Sequence, residues 1–140
     1  MSLKDLESVA RAIVAPKKGI LAADESTSTI AKRFEAIKVE STEETRRRYR
    51  ELLFTTPKAS EYISGVILYD ETIRQKTRDG IPFPEYMSRN GMIPGIKVDT
   101  GAKDLAGFPG EKITEGLDGL RDRLSRSIFN WVPVSQSGAQ

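Results

Sequence analysis

At 140 residues, with 38% hydrophobic and 30% charged side chains, the chain has the length and composition for one ordinary hydrophobic core. A net charge of +2, from 22 basic and 20 acidic residues, is too small to point to nucleic acid as a partner. There is no cysteine and no histidine, which excludes disulfides, thiolate chemistry and imidazole bases or ligands. Any proton transfer therefore falls to Asp, Glu, Lys or Tyr. No apolar stretch approaches the ~20 residues of a membrane-spanning helix, and Met1-Ser2-Leu3-Lys4-Asp5 lacks the apolar core of a signal peptide. A cytoplasmic protein with no membrane partner is the expectation.

Ser2 and Asp5 have capping-box spacing, and Leu3, Leu6, Ala10, Ile13 and Val14 recur at helical intervals. A first helix is predicted to end before Pro16, with Lys17-Lys18-Gly19 as the turn. Ile20 to Ala23 is a short apolar run, predicted as a strand buried on both faces. It breaks into Asp24-Glu25 and then into hydroxyl residues that open a helix near Ser28, with Ile30, Phe34 and Ile37 as its apolar stripe. Ser41 and Glu44 form a second capping-box pair, opening a helix with Tyr49, Leu52 and Leu53 on one face that ends before Pro57. On that helix, Arg46-Arg47-Arg48-Tyr49-Arg50 reads as a solvated face.

Tyr62 to Tyr69 is the clearest strand, apolar on both faces, closed by Asp70-Glu71 and followed by a short helix. Asp79-Gly80 and Asn90-Gly91 signal turns around a proline-rich link, Pro82-Phe83-Pro84. Ile93 to Val98 is predicted as a third strand, with Pro94 near its start where a missing N–H does least harm. A glycine-rich loop over Asp104 to Gly110 leads to a last helix carrying Ile113, Leu117, Leu120 and Leu124. Residues 125–140 have no sustained period, end in small polar residues and are expected to form a disordered tail after a folded region over 1–124.

Three apolar strands separated by helices indicate a parallel α/β layout. Each strand ends in charge: Asp24-Glu25, Asp70-Glu71, and Lys97 with Asp99. Carboxyl ends of parallel strands carry sites, and three charged ends in succession point to the edge of a (β/α) barrel. At the first edge Asp24 can shuttle a proton or steer an amine by its charge, or it can simply cap the following helix. Ser26, Thr27, Ser28 and Thr29 with Lys32 or Arg33 can seat a phosphate at a helix N-terminus, or form a cap cluster. Lys97, interrupting an apolar strand, can bind phosphate, form an imine, or pair with Asp24.

The run Leu21-Ala22-Ala23-Asp24-Glu25-Ser26-Thr27 with Ile30-Ala31-Lys32-Arg33 resembles the first strand and helix of class I fructose-bisphosphate aldolase. The resemblance continues in order through Thr42-Glu43-Glu44-Thr45-Arg46-Arg47, Arg48-Tyr49-Arg50-Glu51-Leu52-Leu53, Gly65-Val66-Ile67-Leu68-Tyr69 and Gly80-Ile81-Pro82-Phe83-Pro84. It closes with Gly95-Ile96-Lys97-Val98-Asp99 and Glu115-Gly116-Leu117-Asp118-Gly119-Leu120, covering about Leu3 to Leu124.

The resemblance implies the first three β/α units of a TIM (β/α)8 barrel, not closed, because such a barrel typically needs ~250 residues. It implies glycolytic lyase chemistry: Schiff-base cleavage of fructose 1,6-bisphosphate to glyceraldehyde 3-phosphate and dihydroxyacetone phosphate, with no metal or other cofactor. Asp24 matches the family's proton-transferring aspartate. Lys97 matches a substrate-holding lysine near the 6-phosphate. Ser26, Thr29 and Arg33 fall where the family contacts that phosphate, and Arg46 matches a further substrate-associated arginine. The imine-forming lysine belongs to the family's sixth strand, which this chain does not contain, so the chain alone is expected to be catalytically incompetent. The alternatives it leaves are a non-catalytic module that associates with aldolase subunits, forms a homo-oligomer or binds another protein, and a weak sugar-phosphate binder.

Overall fold

The computed structural model describes residues 3–129, which divide into two compact units between Ile96 and Lys97. The first unit begins with helix α1 (Leu3–Ile13), strand β1 (Gly19–Ala23) and helices α2 (Thr27–Ala36) and α3 (Glu43–Phe54). A single turn, α4 (Ala59–Tyr62), runs directly into β2 (Ile63–Leu68). A 3-10 turn at Thr72–Arg74, helix α5 (Phe83–Arg89) and strand β3 (Ile93–Ile96) complete it.

The three strands form one sheet in the order β1-β2-β3, parallel throughout, with Ala23 paired to Leu68 and Leu68 to Ile96 at the carboxyl edge. The expected parallel α/β layout is therefore present. Among the described residues the sheet does not close into a barrel, and β1 and β3 are its two edges. The core is built from Ala23, Val66 and Leu68 of the sheet, Phe54 of α3, Phe83 and Met87 of α5, and Ile73 and Met92 from the connections. Phe54 and Phe83 meet edge to face, centroids 5.2 Å apart at 82°, a geometry that adds to the area they bury.

Several sequence expectations are corrected. β1 is not buried on both faces: Ile20 is 50% exposed, because β1 lies at the sheet edge, with Leu21 partly buried against the core and Ala23 alone of its residues fully buried. The capping box of α3 is Thr42 with Thr45, whose backbone N–H groups and hydroxyls bond reciprocally at 3.1 and 2.9 Å. Ser41 is unavailable as the cap, since its carbonyl and hydroxyl accept from Arg46. The buried face of α3 carries Arg50 and Phe54, while Leu52 points to solvent. Pro82-Phe83-Pro84 is not a link: it opens α5, where the first turn has no use for the missing proline N–H groups. The third strand stops at Ile96, because β2, its hydrogen-bonding partner, has ended at Leu68.

The second unit is an antiparallel hairpin, β4 (Gly101–Asp104) and β5 (Lys112–Glu115), followed by helix α6 (Leu120–Phe129). Ile113 thus lies on a strand, and the helix opens only at Leu120. The helical spacing of Ile113, Leu117, Leu120 and Leu124 is coincidental: Gly116 at φ +148° and Gly119 at φ +65° cannot belong to a right-handed helix. Ser125 through Phe129 continue α6, so the helix runs past the expected end of the folded region; the remainder of the expected tail, 130–140, lies outside the described residues. Among the described residues no helix is long and apolar enough to cross a membrane.

The Phe54–Phe83 contact makes the first unit's core sensitive to truncation. Phe54→Ala should cost about 3–5 kcal/mol, read from chemical denaturation followed by circular dichroism. A loss under ~1 kcal/mol would show that the aromatic pair does not hold this core.

Candidate active site

The carboxyl end of β1 passes from buried Ala23 to Asp24 and Glu25, both half-buried, and then directly into α2. Ser26 is the helix cap, in extended conformation, its hydroxyl accepting from the Thr29 backbone N–H at 3.3 Å. The Ser26 hydroxyl also lies 3.0 Å from those of Ser28 and Thr29. The capping role raised for Asp24 therefore falls to Ser26. The expected hydroxyl cluster is real and sits at the positive end of the α2 dipole.

Glu25 anchors the site. Its Oε1 accepts from Arg33 and its Oε2 from Arg50, while Arg50 also donates to the Glu25 main-chain carbonyl at 2.7 Å. Arg50 is only 2% exposed. Arg33 additionally donates to the Tyr49 hydroxyl at 3.2 Å. The Tyr49 ring stacks edge to face on Phe34, centroids 5.8 Å apart, and lies 5.6 Å from the Arg50 guanidinium. Burial opposes ionisation of Glu25, but hydrogen bonds from Arg50 and the charges of Arg50 and Arg33 outweigh it, and the carboxyl titrates below its ordinary value of 4.5. The solvated-face reading of the arginine cluster is thereby corrected. Arg47 also is held, by Glu44 at 2.7 Å and Glu51 at 2.8 Å.

Arg46 makes a two-pronged contact with Glu71, just past the end of β2, at 2.8 and 2.7 Å. Its third nitrogen donates to the Ser41 carbonyl at 3.0 Å. That bond pattern is the fork-to-carboxylate geometry in which arginine is strongest, and it lowers the pKa of Glu71. Arg46 is thus spent on joining α3 to β2, and the structure does not gather it with Ser26, Thr29 and Arg33. In the second unit Lys97 follows the last residue of β3 and pairs with Asp99. The other oxygen of Asp99 accepts the Gly101 N–H at 3.0 Å. The lysine is therefore not carried inside a strand, as its sequence context had implied, but on the segment directly after it. Among the described residues no group of three or more Asp or Glu side chains could hold a metal ion.

Sequence reasoning missed Arg50, the most buried charge of the site. A signal was present: Arg50 precedes Phe54 by one helical turn, so a buried Phe54 carries Arg50 inward with it.

Together the parallel sheet and the charged residues at its carboxyl edge define an α/β protein with candidate chemistry where each strand ends. A family model described as fructose-bisphosphate aldolase class-I matches residues 5–128, and the chain belongs to that family. "Probable fructose-bisphosphate aldolase class 1" of Xanthomonas campestris is 68% identical over 124 residues, covering 89% of this chain and 37% of that protein. "Fructose-bisphosphate aldolase 5, cytosolic" of Arabidopsis thaliana is 57% identical, covering 96% and 39% respectively. Among solved structures, the fructose-bisphosphate aldolase of Plasmodium falciparum, crystallised with TRAP and a small-molecule inhibitor, superposes with a TM-score of 0.86. It is 46% identical and covers 91% of this chain and 37% of its own. The chain thus spans little more than a third of the length of the relatives it matches.

The Glu25–Arg50 pair supports a pH prediction. Because the folded carboxyl titrates low, its contribution to stability is complete above the ordinary carboxylate range and is lost as pH falls through the lowered value. Unfolding free energy measured from pH ~7 down to ~3 should fall less steeply in Glu25→Gln than in the wild-type chain. Arg50→Met, which leaves the Glu25 carboxylate with the exposed Arg33 as its ion-pair partner, should cost about 1–3 kcal/mol at neutral pH. Parallel pH curves for the wild-type chain and Glu25→Gln would remove Glu25 from this role.

Proposed function

We propose that the chain forms the first three β/α units of an aldolase (β/α)8 barrel and carries part of its fructose 1,6-bisphosphate site. The observation that carries this is local. Directly after Asp24, the Ser26 and Thr29 hydroxyls converge at the start of α2, and Arg33 lies two turns further along the same helix. In this reading Asp24 handles protons, Ser26, Thr29 and Arg33 face the 6-phosphate, and Lys97 holds the sugar bisphosphate. Arg46, committed to Glu71 and Ser41, contributes by fixing the edge of the site. The cytosolic naming of a plant relative supports a cytoplasmic setting.

By itself the chain does not catalyse cleavage in this reading. Aldol cleavage through an imine needs an amine placed against the substrate carbonyl, and the family's imine-forming strand lies outside the matched segments. Without that covalent electron sink, the carbanion left by C–C scission has nowhere to delocalise.

A second reading is association with aldolase subunits or a second copy of the chain. It is favoured by the two open sheet edges and by exposed apolar residues in the first unit, Leu6 at 52%, Val14 at 73% and Ile20 at 50%.

The purified chain should show no fructose 1,6-bisphosphate cleavage in a coupled assay, and borohydride should trap no lysine adduct. Titration calorimetry should show fructose 1,6-bisphosphate binding with a Kd on the order of 1 mM, abolished in Lys97→Ala. Turnover with an adduct on Lys97 would sink the claim of incompetence. Binding unchanged in Lys97→Ala would remove that residue from the site.

A further inference from the structure

The segment Glu115-Gly116-Leu117-Asp118-Gly119-Leu120 carries much of the family resemblance, yet none of its residues enters the site described above. Its geometry points to a reason. Gly116 holds φ +148°, and a Cβ on it would stand 2.8 Å from the Asp99 Cα and 2.9 Å from the Val98 carbonyl oxygen. The main chain just beyond Lys97 therefore runs directly against the Gly116 backbone, where no side chain fits.

Arg123, in the first turn of α6, closes the same place. One of its terminal nitrogens donates to the Val98 carbonyl at 3.0 Å and to the Gly116 carbonyl; the other donates to the Asp118 carbonyl. A single guanidinium so ties together three carbonyls from two separate stretches of chain, which the planar five-donor fork of arginine can do and an ammonium cannot match. The cation also sits near the N-terminus of its helix, where the dipole disfavours positive charge. Helix stability does not account for it. The Thr100 N–H donates to the Glu115 carbonyl at 2.9 Å and completes the cradle.

We propose that Gly116 and Arg123 are positioning residues for Lys97. They fix Val98 and Asp99, and Asp99 in turn orients the Lys97 ammonium through their ion pair. The relevance to substrate rests on Lys97 binding a sugar phosphate, as proposed above; the cradle does not.

The readout is the Asp99 carboxyl, held below its ordinary value chiefly by its bond from Lys97. Its titration is followed by 13C NMR in the full chain, with Lys97→Ala as the reference for a lost partner. Arg123→Lys and Gly116→Ala both leave the net charge unchanged. Each should shift the Asp99 midpoint upward toward that of Lys97→Ala, an effect that loss of stability alone in a still-folded chain would not produce. Folded variants with Asp99 titrating as in the wild type overturn the proposal. Should neither variant fold, the wild-type chain decides: separate, slowly exchanging Arg123 guanidinium proton signals support the cradle, and a single averaged signal overturns it. Fructose 1,6-bisphosphate is titrated into the same samples. No binding to the wild-type chain sinks the functional reading and leaves the Asp99 result intact. Binding that depends on Lys97, with no Asp99 shift in Arg123→Lys, sinks this inference alone.

Discussion

The geometry of the first strand's edge follows from where Arg50 must place its charge. A guanidinium that is almost wholly buried is tolerable only if its hydrogen bonds and its charge are answered nearby. Glu25 supplies both, with one carboxylate oxygen and its own main-chain carbonyl. Because Arg50 is fixed on α3 by the burial of Phe54 one turn away, the Glu25 backbone is fixed as well. Asp24 on one side and Ser26 on the other are then held between two locked neighbours. The start of α2, its cap and its cluster of hydroxyls are consequences of that anchor and not independent features.

The same logic recurs at the other strand ends. Glu71, after β2, holds Arg46, and Asp99, after β3, holds Lys97. Every strand of the sheet is thus followed within a few residues by an acid that orients a basic side chain. Parallel strands end together at one edge, so such pairs collect where the backbone is no longer committed to the sheet. An acid at this position does two things at once: it sets the rotamer of a long flexible cation, and it lowers the local positive charge.

Much of the fold was legible because burial in the sheet leaves a plain mark. The apolar run Val66-Ile67-Leu68 and the proline, glycine and capping signals around it locate β2 and its neighbours to within a residue or two. The hairpin β4–β5 was not legible, since its residues are almost all exposed and no pattern of burial is written into them. α5 was hidden by prolines that signal a break and here only begin a turn. At the strand ends the resemblance pointed to Asp24, Ser26 and Lys97, but the Glu25–Arg50 pair spans 25 positions and joins two charges, one of them nearly inaccessible. Charge patterning assigns arginine-rich helices to solvent, and only the one-turn spacing to the buried Phe54 marks the arginine that turns inward. Lys97 was misread in context for a simpler reason, that Val98, two residues beyond the last paired position at Ile96, is again apolar.

The three acid–base pairs are not equivalent, and the difference bears on where an anion would be favoured. The Glu71 carboxylate accepts from Arg46, and the Asp99 carboxylate from Lys97. The Glu25 carboxylate is instead shared by two guanidiniums, Arg33 and Arg50. Of these two, Arg50 is buried, whereas the Arg33 side chain is 54% exposed. The guanidinium that reaches solvent is therefore Arg33, on the helix whose N-terminal hydroxyls and dipole favour an anion. Were Glu25 absent, Arg33 would be a stronger cation held only by the Tyr49 hydroxyl, and binding would have to immobilise its long flexible stem at a cost of up to ~2 kcal/mol in side-chain entropy. The carboxylate trades some electrostatic attraction for a guanidinium already held in position.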